Sequence, residues 1–153
     1  MAAATIPRGA TIQIDAVPNF DTLTEDAAEA VLYDTLVPAC EAKGVMLSQY
    51  GNHAASGTVV SAQEYRESKA GKKLFNVQRV QKAFASVHGI VENRTTYKSG
   101  SYGLKHVFEK QQSEYLSNGD LIAAMLVQGY AARFGKQTEG ADVNAEFKVV
   151  VKA

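Results

Sequence analysis

Polar and apolar side chains alternate through Thr11-Ile-Gln-Ile-Asp-Ala-Val17, the period-two signature of a half-buried strand. Residues 1–9 ahead of it read as a loose arm. From Asp21 the period lengthens. Ala28, Val31, Leu32 and Leu36 recur at helical spacing. Thr24 is placed to cap the free amides, and Glu25, Asp26 and Glu29 complement the positive end of the helix dipole. Pro38 lacks a backbone donor and crowds the turn before it, which predicts a kink or break near Val37. A short continuation over 39–43 should stop at Gly44. Residues 45–50 read as a short strand.

Gly51-Asn-His-Ala-Ala-Ser-Gly57 has the composition of a loop, and Thr58-Val-Val60 that of a brief strand. Ser61 and Glu64 form a capping box for a short helix over about 61–70, ending near Gly71. The clearest helix follows, with Leu74, Val77, Val80, Phe84 and Val87 on one stripe and Gly89 at its end. Residues 90–98 are a connection or a short strand. Ser101 is the expected cap of a helix over 102–116 whose apolar side holds Leu104, Val107, Phe108 and Tyr115. Ser117-Asn-Gly119 reads as a tight turn that uses positive φ. Asp120 then caps a helix over 121–134 that is apolar on nearly every side, the mark of a segment central to a core or an assembly. After a polar loop over 135–144, Phe147, Val149 and Val151 alternate against Glu146, Lys148 and Lys152 as a terminal strand. Its pairing with residues 11–17 would bring the termini together. The pattern predicts one α+β domain over 1–153, with four to five helices and a small sheet containing the N- and C-terminal strands.

Composition changes this picture little. The chain has 153 residues, is 46% hydrophobic and 21% charged, and so has enough apolar content for a core. A single cysteine, Cys40, excludes an intrachain disulfide framework. It sits late in a helix, where the dipole does not favour a thiolate, and reads as a buried structural residue. The longest uncharged apolar run, Leu121–Val127, is too short to span a bilayer. The first residues lack the basic flank and apolar core of a secretory signal. The expectation is therefore a protein that is not secreted and makes no membrane contact.

Charge is more informative. Lys+Arg and Asp+Glu are 16 each, but they are segregated. Residues 1–60 carry seven acids and two bases, residues 61–110 four acids and ten bases, and residues 111–153 five acids and four bases. The basic middle contains Arg66, Lys69, Lys72, Lys73, Arg79, Lys82, Arg94, Lys98, Lys105 and Lys110, interleaved with Tyr65, Phe75, Phe84, Tyr97 and Tyr102. Either the segments neutralise each other, within the fold or between copies, or the middle meets an external anion. Lys72, Lys73, Arg79, Lys82, Arg94, Lys98 and Lys105 are the candidate partner- or anion-binding residues. Cations with aromatics suit contact with nucleic-acid phosphates. The two helices around Ser117-Asn-Gly119 suggest a helix-turn-helix, but the second is too apolar to read base edges.

Catalytic and cofactor signatures are weak. His106 and Glu109 share a helix face at a spacing of three, yet two groups do not make a metal site, and His53 and His88 lie apart from them. There is no phosphate-binding G-x-x-x-x-G-K-[ST] or G-x-G-x-x-G, and Ser99-Gly-Ser-Tyr-Gly103 ahead of a helix is the nearest approach. The expectation is a non-enzymatic protein with no cofactor.

Ser101-Tyr-Gly-Leu-Lys-His106, Tyr115-Leu-Ser-Asn-Gly119, Ile122-Ala-Ala124 and Gly129-Tyr130 together resemble a small group of bacteriophage and large DNA virus proteins with the pattern S-Y-G-x-K-H … Y-x-S-N-G-x-x-I-A-A … G-Y. The resemblance spans residues 101–130 and implies a viral origin without implying catalytic residues. Lys105 and His106 are the part of the pattern that packing does not account for. Together these readings lead to a binding protein of virus or phage type, a minor structural component that contacts other protein subunits. The alternative is a nucleic-acid-binding or host-modulating protein that uses residues 66–110.

Overall fold

The computed structural model describes residues 10–49, 51–52, 75–134 and 143–153. The expected N-terminal arm, the strand over 58–60, the helix over 61–70 with its capping box, Lys72, Lys73 and most of the 135–144 loop lie outside the described residues.

Four helices are described. Helix α1 (residues 25–41) begins as α-helix at Glu25–Ala30, where Thr24 Oγ1 accepts from the Ala27 amide at 3.2 Å. It widens to a π-helix over Val31–Leu36 and returns to α-helix over Val37–Glu41. Near Val37, where a kink or a break is expected, the helix does not break, and its irregularity is the π stretch just ahead of Pro38. In the π stretch the Val37 amide donates five residues back, to the Leu32 carbonyl, and a widened turn is one way to make room ahead of a proline. Gly44, at φ 78°, ends the helix as expected. Helix α2 (Val77–Ile90) is capped by Asn76, whose Oδ1 accepts from the Arg79 amide at 3.1 Å, and buries Val77, Val80, Phe84 and Val87.

Helix α3 (Ser101–Gln112) and helix α4 (Asn118–Val127) complete the set. Ser101 does not cap α3. It is buried, and its Oγ accepts from the Ala145 amide at 3.0 Å, tying the helix start to the C-terminal strand. The helix ends at Ser113, in the left-handed region at φ 53°, so Tyr115 falls beyond it and is 57% exposed instead of lying on an apolar face. The expected turn at 117–119 is instead the start of α4. Ser117 is its cap, accepting from the Asp120 amide at 3.0 Å, and Asp120 is inside the helix.

Every residue of α4 is buried. It packs against α2 and α3, against the π stretch of α1, and against three short strands: β2 (Leu47–Ser48), β3 (Gly51–Asn52) and β6 (Ala132–Phe134). The helix stops seven residues short of its expected end. Gly129, at φ 96°, turns the chain, and 132–134 become strand.

The sheets are small and antiparallel. Strand β1 (Ala10–Ile12) pairs with β6, β6 with β7 (Ala145–Phe147), and β7 with β5 (Ser99–Gly100). The terminal strands therefore share a sheet but do not pair, because β6 lies between them. The N-terminal strand is shorter than the alternation over 11–17 suggests. Beyond Ile12 the chain bonds to the end of α4, with Gln13 Nε2 donating to the Gly129 carbonyl at 2.9 Å and the Val17 amide to that of Val127 at 2.8 Å. The expected C-terminal strand is divided at Lys148. Its second part, β8 (Val149–Val151), pairs with β4 (Val91–Asn93), and Val151 is 39% exposed at the end of that ladder. The fold is α+β, and one hydrophobic cluster runs from Ile12 to Val149 with α4 at its centre.

Candidate functional site

The described cations of the basic middle do not form an open stripe. Arg79 and Lys82 on α2 both pair with Glu114, and hydrogen bonds and charge from Lys82, then charge from Arg79, hold the Glu114 carboxyl below the usual range. Arg94 pairs with Glu92 at 2.8 Å. Lys98 is exposed on the approach to β5, where its amide donates to the Phe147 carbonyl. Lys105 is buried, although it is a lysine in mid-helix.

Lys105 is held from several sides. Its Nζ donates to Glu109 Oε1 at 2.9 Å, one turn on. It also lies 5.7 Å from the ring centre of Tyr102 and 5.1 Å from that of Tyr115. Aromatic faces attract a cation by their quadrupole, and more strongly where water is excluded. Arg79 adds a second cation over Tyr115, at 5.2 Å. Glu109 is fully employed: Oε1 also meets His106 Nδ1 at 3.1 Å, and Oε2 accepts from the Leu116 amide at 3.1 Å. Burial pushes its carboxyl up, but bonds from Lys105 and Leu116, with the charges of Lys105 and His106, outweigh this and hold it below the usual carboxylate range. The H-x-x-E pair thus serves an ion-pair network. Among the described residues no three His, Cys, Asp or Glu side chains gather as metal ligands would.

A cleft of about 410 Å³ opens beside this network, lined by Gln49, Tyr102, Lys105, Tyr115, Asn118, Val143 and Asn144. Three remote segments are tied together to make it. The Gly119 amide donates to the Gln49 carbonyl at 3.0 Å, the Asn52 amide to the Val143 carbonyl at 2.9 Å, and Asn118 Nδ2 to Asn144 Oδ1 at 2.9 Å. Both tyrosines stand at its mouth, 55% and 57% exposed. The lining combines the side-chain amides of Gln49, Asn118 and Asn144 with two phenol rings and the buried Lys105 ammonium that lies near both rings. Such a cleft combines apolar contact area with a few fixed polar groups, the usual composition of a recognition site.

Two buried acids elsewhere have structural explanations. Cys40 is enclosed by the core, where burial and then the nearby Glu41 charge push the thiol up to about 12. Asp120 Oδ1 accepts from the Asn76 amide at 3.0 Å, ahead of α2, and burial pushes its carboxyl up to about 6 against hydrogen bonds from Asn76 and Ser117. His88 lies exposed at the end of α2, and His53 is outside the described residues.

Among the described residues, the basic segment and the motif residues meet at this cleft. Lys105, Tyr102, Tyr115 and Asn118 belong to it, whereas Arg94 and Lys98 do not. Gln49, Val143 and Asn144 carry no sequence signal, since strand pairing and backbone contacts bring them in from distant positions. Comparison with protein-family models, with curated proteins and with solved structures finds no match to this chain.

Proposed function

We propose that the chain is a non-enzymatic binding protein of virus or phage type, a minor structural component of a particle, and that it engages another protein through the Tyr102–Lys105–Tyr115 cleft. The observation that carries this reading is the convergence of Tyr102, Lys105, Tyr115 and Asn118, all from the stretch that resembles phage and large DNA virus proteins, on one cleft. Exposed tyrosines are enriched among the anchors of protein interfaces. A virion or a host cytoplasm is the setting that accompanies this role. No helix among the described residues is long and apolar enough to cross a membrane.

Among the described cations of the basic middle, Arg79, Lys82, Arg94 and Lys105 each have a carboxylate partner within the chain, which gives a phosphate-binding role for them less support. To bind nucleic acid they would have to exchange those partners for phosphates. Two measurements test the reading: anisotropy titrations with labelled single- and double-stranded DNA at physiological salt, and a photo-crosslinking residue in place of Tyr102. The expected results are no submicromolar DNA binding and a crosslinked adduct that protease degrades and nuclease does not. Tight DNA binding that is lost on neutralising Arg79 and Lys82, or a nuclease-sensitive adduct, would overturn it.

A further inference from the structure

Four acids on α1 are not paired with the described cations of the basic middle. Glu25, Asp26, Glu29 and Asp34 stand exposed on α1. Among the described residues no cation lies within ion-pair distance of any of them. The carboxylates that pair with Arg79, Lys82, Arg94 and Lys105 are Glu92, Glu109 and Glu114. Among the described residues, α1 therefore presents an exposed acidic face.

The cleft is suited to a carboxylate. An ammonium has three N–H donors, and among its described contacts Lys105 gives one to Glu109 and otherwise meets two aromatic faces. Among the described residues, that leaves donor capacity an entering carboxylate could use. Among the described residues that line the cleft the one charged side chain is Lys105, and a second cation, Arg79, lies over the Tyr115 ring. Glu25 and Glu29, four residues apart, share one helix face. A helix presenting that face can place carboxylates toward Lys105 while its aliphatic stems cover the two tyrosines.

We propose that the Tyr102–Lys105–Tyr115 cleft of one copy receives the acidic face of α1, at Glu25 and Glu29, of a second copy. The inference rests on the reading of the cleft as a protein-binding site and names the occupant. Opposite charges steer such an encounter and fix its register, and salt weakens it. The tyrosines supply contact area that ion pairs alone do not.

Complementation between two disabled variants tests it. Tyr102→Ala/Tyr115→Ala removes the cleft walls, and Glu25→Lys/Glu29→Lys reverses the acidic face. All four positions are exposed, and circular dichroism with unfolding midpoints checks that both variants fold. Sedimentation velocity is run on each protein and on their equimolar mixture, at low and high salt. The wild type should self-associate, with affinity reduced about tenfold or more at high salt. Each variant alone should sediment as a single chain. The mixture should form a species of two chains, because one intact cleft then meets one intact acidic face. A mixture that stays monomeric, or an acidic-face variant that associates like the wild type, overturns the proposal. A monomeric wild type whose Tyr102 position crosslinks to a different protein overturns the self-contact but leaves the protein-binding reading standing. A nuclease-sensitive adduct removes both.

Discussion

The carbonyl oxygen of Ser48 lies 1.6 Å from where a Cβ on residue 119 would sit. Gly119 is in the first turn of α4, and its amide donates to the Gln49 carbonyl, so the β2–β3 hairpin rests directly on the helix backbone. The glycine expected to supply positive φ at a turn instead supplies the absence of a side chain at a backbone contact.

A paired substitution follows from that contact. Gly103 is in α3 with nothing within 4 Å of its would-be Cβ. Gly103→Ala should stabilise by about 0.5–1 kcal/mol, because alanine loses less backbone entropy in a helix. Gly119→Ala should destabilise, since the hairpin must move away, and should also disturb the cleft wall at Gln49. Urea titrations of both variants check the opposite signs, and equal midpoints would contradict the close approach.

Phe108 is fully buried on α3. Phe108→Ala should cost about 3–5 kcal/mol, the sum of lost transfer energy and the cavity left behind. Chemical denaturation reads this directly, and a midpoint within error of wild type would mean that α3 is peripheral to the core.

The Lys105–Glu109 pair allows a double-mutant cycle. Glu109→Gln keeps an acceptor for the Leu116 amide but leaves the buried ammonium without its carboxylate. It should cost about 1–3 kcal/mol. Lys105→Met together with Glu109→Gln should recover much of that loss, because a buried ion pair replaced by packing is often close to neutral. Losses that simply add would show that the pair is not coupled.

Asp120 gives a pH dependence of defined sign. Its carboxyl titrates near 6 in the folded protein against an ordinary 3.8. The folded state therefore holds this proton more tightly than the unfolded state. Its stabilising contribution is complete below the unfolded value and is lost as pH rises toward 6. Asp120→Asn removes that titration while keeping an oxygen for the Asn76 amide. The stability of the variant relative to wild type should rise between pH 4 and 7 by about 2–3 kcal/mol. Denaturation series at several pH values measure it, and a flat difference would exclude the raised carboxyl.

Cys40 should resist thiol reagents in the native state and react on unfolding, since the thiol is enclosed and pushed up to about 12. Fast labelling with an aromatic disulfide under native conditions would contradict its burial.

Local signals in the sequence determined that the four described helices exist, though not all of their ends. The Thr24 cap, the α2 stripe from Val77 to Val87, the Gly44 stop and the all-apolar α4 depend on side chains within a turn or two of each other, which is the range of capping and helical periodicity. Tertiary structure decided everything that required a distant partner. Strand β6 came between the terminal strands because Gly129 ends α4 early and frees 132–134 for pairing. Ser101 turned from capping its own helix to binding Ala145, and Ser117 took the capping role expected of Asp120. The candidate site divides the same way. Lys105 and its i+4 partner Glu109 can be read from spacing, but its burial between Tyr102 and Tyr115, and the wall made by Gln49 and Asn144, depend on segments up to 95 residues apart. The cost of isolating a charge is set by what packs around it, and no local stretch of sequence contains that information.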